Sequence, residues 1–520
     1  MKYKKTTLPN GLRIITVPTK GNPVATAMVL TETGSKYETK AENGLSHFIE
    51  HMCFKGTKKR PSSAIVNKEF DALGALSNAM TSEEYTVYFA KAEKKHWKKI
   101  LDIISDMYLH PNFPKKDLEI ERGVILQEIS MYEDLPQDKV GLLLQSLLYG
   151  DTPVGRWIAG TKENVSKLKH KSFVEYHKKH YVAEGTIVVV SGDVSESEVK
   201  KEVEKLFKDI QTRKKPGKEK VVEKQTAPKM LVNQKKTDQT HMILGVRTYS
   251  AKDKRQTVMD VLAGVLGGGM SSRLFHKLRE EMGACYYVHA GSSDLTDHGY
   301  FYIATGIENR RIEEVTKVLL SECSKLTKEL VSSEELKKVK DYMIGRMYLA
   351  LETTNALAMF YVGQEVLKGK MEFPSQIEKE IRTVTAKDIQ KVAKEIFQNK
   401  NLNLAVVGNI KDEKNLKRCY YGANERARES QISHNYGQLG EGNAHHFGFC
   451  GLVYSSGLGF GDFGFYRHCF SHRAGRGVGE ENVPPQTADH SWGLSHYGSS
   501  IRRTFLFPLS SSPWRSIKLY

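Results

Sequence analysis

Hydrophobic residues recur along the chain at two spacings, and both predict regular secondary structure. Residues 12–15 alternate in the manner of a β-strand, and residues 186–190 form a β-branched run that is typical of a buried strand. Residues 119–134 place their apolar side chains on one stripe at helical spacing. The pattern therefore predicts a mixed α+β fold.

One stretch of this pattern occurs twice. Residues 165–194 and 381–410 align without a gap at a constant offset of 216 positions. The matched pairs include Val165 with Ile381, Phe173 with Ile389, Tyr181 with Phe397, and Gly192 with Gly408. Each copy predicts a helix, a short loop and a β-branched strand that ends in Gly. We interpret the repeat as a duplication, which predicts two homologous α/β halves.

The two copies are separated by a segment without periodicity. Residues 212–228 are charged and contain Pro, as expected of a linker. We therefore assign residues 1–211 to a first half and residues 229–417 to a second half. A chain of 520 residues is long enough for at least two domains.

The composition of the last part of the chain differs from the rest. Residues 418–520 hold 15 of the 42 Gly and 7 of the 18 His, and they show no sustained apolar period. We expect an extension that is disordered or spurious, rather than a further functional module. The clustered histidines His445, His446, His468 and His472 have no convincing metal-ligand spacing.

Composition restricts the classes of function. A charged fraction of 27% with 39% hydrophobic residues is ordinary for a globular protein. No segment has the apolar length of a signal peptide or a membrane span, so we expect a cytoplasmic protein without membrane contact. The formal charge of +17 is spread over helix faces without an aromatic platform, so no nucleic-acid partner is expected. The six cysteines show no C-x-x-C pairing, which indicates neither disulfides nor a thiolate metal site.

The most specific chemical feature is the string His-Phe-Ile-Glu-His at residues 47–51. On a helix, His47 and His51 project from one face, and Glu50 shares that face. Zinc in a catalytic site needs two or three side-chain ligands and an open position for water, and peptide hydrolysis needs a carboxylate beside that water. H-x-x-E-H supplies two ligands and the base in little more than one turn. The alternative is a chance pair of surface histidines.

A second predicted helix carries Glu121 and Glu128, seven residues apart and two turns along one face. Taken alone, such a pair is more typical of an ordinary solvated face. Beside the H-x-x-E-H string, however, the chain resembles the inverzincin metallopeptidases, the superfamily of pitrilysin, insulin-degrading enzyme and the mitochondrial processing peptidase. Further matches at residues 149–155 and 160–161 extend the resemblance over about residues 5–412.

The resemblance implies a zinc site with one Zn²⁺ per chain. In this family the matching residues would be His47, His51 and Glu128 as ligands and Glu50 as general base. Glu121 matches a supporting carboxylate that orients the ligands.

The resemblance also implies substrate-binding residues. Arg279 and Tyr286 match a pair in the second half that reaches the scissile peptide, where a guanidinium and a phenol can both donate to the developing oxyanion. Asn78 and Ala79 match an edge strand on which an extended peptide pairs through its backbone. Without the family resemblance, we would interpret Arg279 as a surface salt-bridge partner and Tyr286 as a half-buried strand residue. The alternating residues 85–89 would be interpreted as a plain core strand.

The resemblance implies two homologous α/β-sandwich halves, each a mainly antiparallel sheet with helices, that face each other across a chamber. It implies a zinc-dependent endopeptidase that acts on short or unfolded peptides and pairs as a homodimer. The alternative is a non-catalytic core or partner subunit of a processing-peptidase-like complex. Such subunits usually lose ligands or the base, and here all are present. An offset of 216 places Ala263 and Gly267 opposite His47 and His51, so the second half is expected to lack a metal site.

Overall fold

In the computed structural model, which describes residues 2–222 and 224–422, the first half is built on a six-stranded sheet. Its strands are β1 (Lys4–Thr7), β2 (Arg13–Pro18), β3 (Val24–Thr31), β4 (Leu76–Thr81), β5 (Thr86–Glu93) and β6 (Thr186–Gly192). They lie in the order β1-β2-β6-β3-β5-β4, and of the neighbouring pairs β2 and β6 run parallel while the others run antiparallel. Its helices are α1 (Leu45–Cys53), α2 (Ser63–Ala72), α3 (Trp97–Leu109), α4 (Lys115–Asp134), α5 (Pro136–Tyr149), α6 (Lys162–Lys167), α7 (His170–His180) and α8 (Glu196–Leu206).

The second half repeats this plan with a five-stranded sheet. Its strands are β7 (Lys229–Gln234), β8 (Gln239–Thr248), β9 (Cys285–Asp294), β10 (Gly299–Glu308) and β11 (Asn403–Gly408), in the order β7-β11-β8-β10-β9. Its helices are α9 (Gln256–Gly267), a π-helix (Phe275–Glu281), α10 (Ile312–Lys328), α11 (Ser333–Ala350), α12 (Thr354–Lys368), α13 (Pro374–Thr383) and α14 (Ala386–Ile396), followed by a helix over residues 413–422.

The two sheets have the same strand order when β7, β11, β8, β10 and β9 are matched with β2, β6, β3, β5 and β4. The parallel pair also recurs, because β11 runs parallel to β7 as β6 does to β2. Helices α7 and α14 lie at the predicted offset of 216. The predicted α+β fold with two homologous, mainly antiparallel halves is therefore confirmed.

Strands β6 and β11 are buried along their whole length, as their largely apolar sequences predict. In β6, Val188 and Val190 belong to one core together with side chains of α1, α3 and α7, whereas Ile187 and Val189 point to the opposite core. This alternation follows from the two-residue period of a strand. In the second half, Leu404 of β11 points in the same way to the core formed with α9 and α14.

The halves exchange a helix, which makes them one folding unit. Helix α12 of the second half covers the first sheet, and its Leu357 and Phe360 pack with Ile187 and Val189. Helix α5 of the first half covers the second sheet, where Leu144 lies among the buried side chains of β8 and β11. Neither sheet is covered on both faces without the other half.

A buried ion-pair cluster also joins the halves. Glu84, between β4 and β5, lies 3.1 Å from the Lys36 ammonium and 2.6 Å from the Lys218 ammonium. Lys36 in turn pairs with Asp297 of the second half, and Glu84 accepts from the backbone N–H of Thr296 at 3.0 Å. Since the side chains of Lys36 and Glu84 are 0% exposed, each charge depends on its partners in place of water. The segment that carries Lys218 is therefore held against both halves.

Two predicted boundaries lie at residues 212–228 and at residue 417. Among the described residues of 212–228 there is no helix or strand. A helix over residues 413–422 runs through residue 417 and buries Leu416 and Tyr420 in the second core. The rest of the predicted tail, residues 423–520, lies outside the described residues. In the described part of the chain no helix combines the length and the apolar character needed to cross a bilayer.

Candidate metal centre

Helix α1 carries the H-x-x-E-H string and is anchored at its start. Gly44 precedes the helix with φ +99°, a conformation that Gly adopts without strain. The Glu38 carboxylate accepts from the backbone N–H of Gly44 at 2.9 Å and of Ser46 at 2.6 Å, and so satisfies donors at the helix N-terminus. Phe48 and other apolar residues of α1 are buried against the first sheet, which leaves the histidine face turned toward α4.

His47, His51 and Glu128 converge on one point. The Nε2 atoms of His47 and His51 lie 3.2 Å apart, and His51 Nε2 lies 3.8 Å from Glu128 Oε2. The three ligand atoms lie within 4.8 Å of one another, and within the described residues this is the one group of His, Cys, Asp or Glu with such convergence. Zinc with ligands at about 2.1 Å in a tetrahedron separates them by roughly 3.4 Å. The donor set therefore fits a zinc ion with a fourth position left over.

Glu121 orients His51. The Nδ1–H of His51 donates to Glu121 Oε1 at 2.7 Å, which leaves the Nε2 lone pair available to a metal. The second oxygen of Glu121 lies 2.5 Å from the Lys55 ammonium. Burial acts to raise the pKa of Glu121, but His51 and Lys55 outweigh it and lower the pKa to about 2. The supporting carboxylate is therefore ionised throughout the physiological range.

The centre concentrates negative charge around the partly buried imidazole of His51. Partial burial alone would lower the pKa of His51, but the hydrogen bond with Glu121 and the charges of Glu50 and Glu128 outweigh it and raise the pKa above its usual value. Groups that favour a proton on an imidazole also favour another cation in its place. This electrostatic environment agrees with the donor set.

Glu50 lies beside the ligands without being one of the three. Its Oε2 accepts from the Thr81 hydroxyl at 2.6 Å, and the residue is only 9% exposed. Burial raises the pKa of Glu50 to about 7, although His51 and Thr81 oppose the rise. A carboxyl group with a pKa near neutrality is suited to accept and return a proton.

Glu128 is placed by α4, two turns after Glu121. The residue is 1% exposed, and the Tyr132 hydroxyl lies 3.4 Å from its Oε1. Both carboxylates and Ile125 lie on the buried face of α4, which packs against α1. The heptad spacing therefore brings the two carboxylates to the same side of the candidate centre.

Asn78 and Ala79 lie on β4, which is an edge strand of the first sheet. Ala79 is buried toward α1, and its backbone N–H donates to Asn78 Oδ1 at 2.8 Å. The outer edge of β4 has no strand partner among the described residues. The alternating residues 85–89 belong to the neighbouring strand β5 and the turn before it, so the edge itself is formed by β4.

Arg279 and Tyr286 lie together in the second half. Arg279, on the π-helix, donates to the backbone carbonyls of Cys285 at 2.9 Å and Tyr286 at 2.8 Å, and its guanidinium lies 5.4 Å from the Tyr286 ring centroid. Tyr286 stands near the start of β9 and is 58% exposed. Over the described ranges, no hydrogen bond or ion pair connects either side chain with the metal centre of the same chain.

Three residues that contact this centre are not among the predicted site residues: Lys55, Thr81 and Tyr132. Tyr132 follows Glu128 by four residues on α4, so helical spacing was a usable signal. Lys55 lies after the end of α1, and Thr81 lies on β4. For neither residue does any local pattern indicate the contact with Glu121 or Glu50.

Two solved structures share this fold. A protease from Helicobacter pylori matches 78% of this chain and 99% of its own with a TM-score of 0.73 and 23% identity. A peptidase M16 inactive domain from Pseudomonas fluorescens matches 78% of this chain and 98% of its own with a TM-score of 0.72 and 16% identity. At these identities the likeness extends to the fold alone.

Sequence relatives are closer. A Bacillus subtilis protein named as an uncharacterized zinc protease is 34% identical over 398 residues, which cover 76% of this chain and 95% of the relative. A Streptomyces coelicolor protein of the same description is 32% identical over 416 residues, which cover 79% and 90%. The profile described as Insulinase (Peptidase family M16) matches residues 13–162, and the one described as Peptidase M16 inactive domain matches residues 167–343. Since these matches run through both halves and the first contains the converging ligands, the chain belongs to the insulinase family of peptidases, family M16.

Proposed function

We propose that this protein is a zinc-dependent endopeptidase that hydrolyses short or unfolded peptides. The observation that carries the proposal is the convergence of His47, His51 and Glu128 with the buried Glu50 beside them. The relatives from Bacillus subtilis and Streptomyces coelicolor, both named zinc proteases, support the choice of metal. The single donor set among the described residues supports a stoichiometry of one ion per chain.

The chain's own residues divide the chemistry between them. His47, His51 and Glu128 would hold a zinc ion, which would supply Lewis acidity to an attacking water and to the scissile carbonyl. Glu50 accepts the proton of that water and returns it to the leaving amine nitrogen. The Thr81 hydroxyl holds one oxygen of Glu50, so the other oxygen is directed to the reacting groups.

The edge of β4 offers a binding site for an extended peptide. The Ala79 N–H now donates to the Asn78 side chain, which stands in for the carbonyl of a neighbouring strand. An incoming peptide would replace this local bond with backbone hydrogen bonds of its own. Because such pairing recognises backbone, we expect broad side-chain tolerance around the cleaved bond.

Arg279 and Tyr286 are proposed to act on the metal centre of a second copy. They make no bond to the centre of their own chain within the described residues, while Tyr286 stands exposed at an edge strand. Both can donate to the oxyanion that develops when the carbonyl is attacked. A homodimer in which each chain faces the other across a chamber would bring the pair into place.

The alternative is a non-catalytic partner subunit. The name Peptidase M16 inactive domain belongs to the profile that matches residues 167–343. That region covers much of the second half, which carries neither the histidine pair nor the base at the positions offset by 216. The first half retains all ligands and Glu50 in one place, and this favours the peptidase.

Metal content and peptide cleavage of the purified protein, with and without a chelator, test the proposal. Glu50→Gln should keep zinc and lose about two to four orders of magnitude in turnover, because an amide cannot accept the proton. Glu119→Gln is the matched control, since Glu119 lies on the exposed side of α4 with a side chain that is 68% exposed. Full turnover in Glu50→Gln would remove Glu50 from the mechanism, and wild-type protein without zinc or cleavage would favour the partner subunit.

A further inference from the structure

Lys55 lies immediately beyond the helix that carries the histidines, and its backbone is held in place. The Phe54 N–H donates to His51 O at 3.2 Å, and the Lys55 N–H donates to Met52 O at 3.0 Å. The chain then turns at Gly56, where φ is +126° and a Cβ would lie 2.7 Å from the Pro61 carbonyl carbon. A turn built in this way directs the Lys55 side chain back toward α4.

The side chain completes a line of charged contacts that ends at the metal ligands. The Lys55 ammonium lies 2.5 Å from Glu121 Oε2, and Glu121 Oε1 lies 2.7 Å from His51 Nδ1. The Lys55 side chain is 21% exposed and that of Glu121 is 6% exposed, so water competes weakly for this contact. Each oxygen of Glu121 thus has its own partner, and the carboxylate plane is defined by both.

We propose that Lys55 is a positioning residue, which acts through Glu121 to orient His51 and set the affinity of the centre for zinc. The inference rests on the proposed function. With one oxygen held by Lys55, Glu121 presents the other to the Nδ1–H of His51 and directs Nε2 to the metal. Lys55 also balances the charge of Glu121, which would otherwise add to Glu50 and Glu128 around a single divalent ion.

A purely structural ion pair between the end of α1 and α4 is the competing explanation. It predicts that loss of Lys55 changes stability and leaves the properties of the bound metal unchanged. The positioning role predicts a change in zinc affinity and ligand geometry that depends on Glu121. A double-mutant cycle between Lys55 and Glu121 separates the two explanations.

The experiment measures the zinc dissociation constant of the full chain by competition with a chelator. Loss of a supporting contact typically costs between tenfold and a hundredfold, so Lys55→Met should weaken zinc binding by about tenfold. Lys55→Arg should restore most of the affinity, because it keeps a cationic donor. Lys59→Met is the matched control: Lys59 is also cationic, but its ammonium pairs with Asp102 at 2.5 Å and its side chain is 55% exposed.

In the Glu121→Gln background, Lys55→Met should have no further effect on zinc binding. The visible absorption of the Co²⁺-substituted protein should change in Lys55→Met and return in Lys55→Arg, since these bands report ligand geometry. Equal zinc affinity and equal Co²⁺ spectra in wild type and Lys55→Met would overturn the inference and leave the zinc site standing. Equal losses in both Glu121 backgrounds would likewise overturn it. Wild-type protein that binds no zinc would instead overturn the proposed function itself.

Discussion

The two halves share a strand order but differ at the helix that lies beside the edge strand. In the first half, α1 carries His47, Glu50 and His51, and Glu50 reaches Thr81 on β4. In the second half, α9 ends with Gly267, where a Cβ would lie 2.4 Å from the backbone nitrogen of Ala290 on β9. Close packing of helix on strand leaves no room for ligands there. The comparison shows that the scaffold accepts either a packed contact or a polar centre at this position.

The helices that pack on α1 and α9 differ between the halves in the same way. Helix α4 presents Glu121 and Glu128 to the histidine face of α1. Helix α11 presents Val339 to α9, and a Cβ on Gly264 would meet the Val339 side chain at 2.7 Å. The candidate metal centre therefore depends on polar residues on two helices at once. A single substitution in the second half could not recreate it.

Loss of a ligand in the first half should have the largest effect. His51→Ala or Glu128→Ala should lose bound zinc and with it all turnover, because two remaining protein ligands form a weak, open site. His276→Ala in the second half is the control, since its side chain is 60% exposed. Zinc content by elemental analysis and peptide cleavage are the measurements. Retention of zinc in both ligand variants would place the metal elsewhere.

The two halves differ in their proposed chemistry, but the stability of the fold should depend on contacts between both halves. Glu84→Gln should lower the free energy of unfolding by about 3–5 kcal/mol, because it leaves Lys36 buried without its full complement of charge. Glu83→Gln, one residue earlier and outside the cluster, is the control. Chemical denaturation at neutral pH measures the difference, and equal values for the two variants would contradict a stabilising role for the cluster.

The same cluster predicts a pH dependence. Burial acts to raise the pKa of Glu84, but Lys218 and Lys36 outweigh it, and the pKa lies below its usual value. The pKa of Asp297 is lowered in the same way, against burial, by His298 and Lys36. Stability from these carboxylates is present above their unfolded-state pKa of roughly 4 and is lost as pH falls below it. Unfolding between about pH 5 and 3 should therefore be less pH-dependent in Glu84→Gln than in wild type.

The proposed contribution of the second half to the reaction is smaller and can be measured separately. Arg279→Ala and Tyr286→Phe should each raise the barrier by about 2–4 kcal/mol with zinc content unchanged. Arg310→Ala is the control, because its side chain is 81% exposed. If the pair acts on a second copy, mixing Glu50→Gln with Arg279→Ala chains should restore part of the activity. Mixtures as inactive as either variant alone would exclude this exchange.

The smallest effect is expected when only the residues after Gly422 are removed. A protein that ends at Gly422 retains both cores and every predicted site residue, so zinc content, turnover and stability should equal those of the full chain. A protein that ends at Lys417 also loses Tyr420, which is fully buried in the second core, and should be less stable by roughly 3–5 kcal/mol. Thermal unfolding of the two truncations measures the difference. Equal stability would support the predicted end of the second half at residue 417.

Much of the fold could be predicted because it depends on the periodic spacing of apolar residues within short segments. The apolar spacing of residues 165–194 and 381–410 predicted a helix followed by a strand twice, and α7, β6, α14 and β11 lie there. His47, Glu50 and His51 could be predicted for the same reason, since a helical period alone brings all three to one face. Glu128 needed the family resemblance, because nothing local says that α4 packs on α1.

What only the tertiary structure decided are contacts between distant segments. Three such contacts depend on the path of the chain in space, which no local sequence period predicts. They are the contact of Thr81 with Glu50, the contact of Lys55 with Glu121, and the buried position of Glu84 between the halves. The exchange of α5 and α12 is of the same kind. An apolar face determines that a helix must be covered, because burial removes that face from water, but it does not determine which sheet provides the cover. That choice depends on the shape and charge of the whole assembled core.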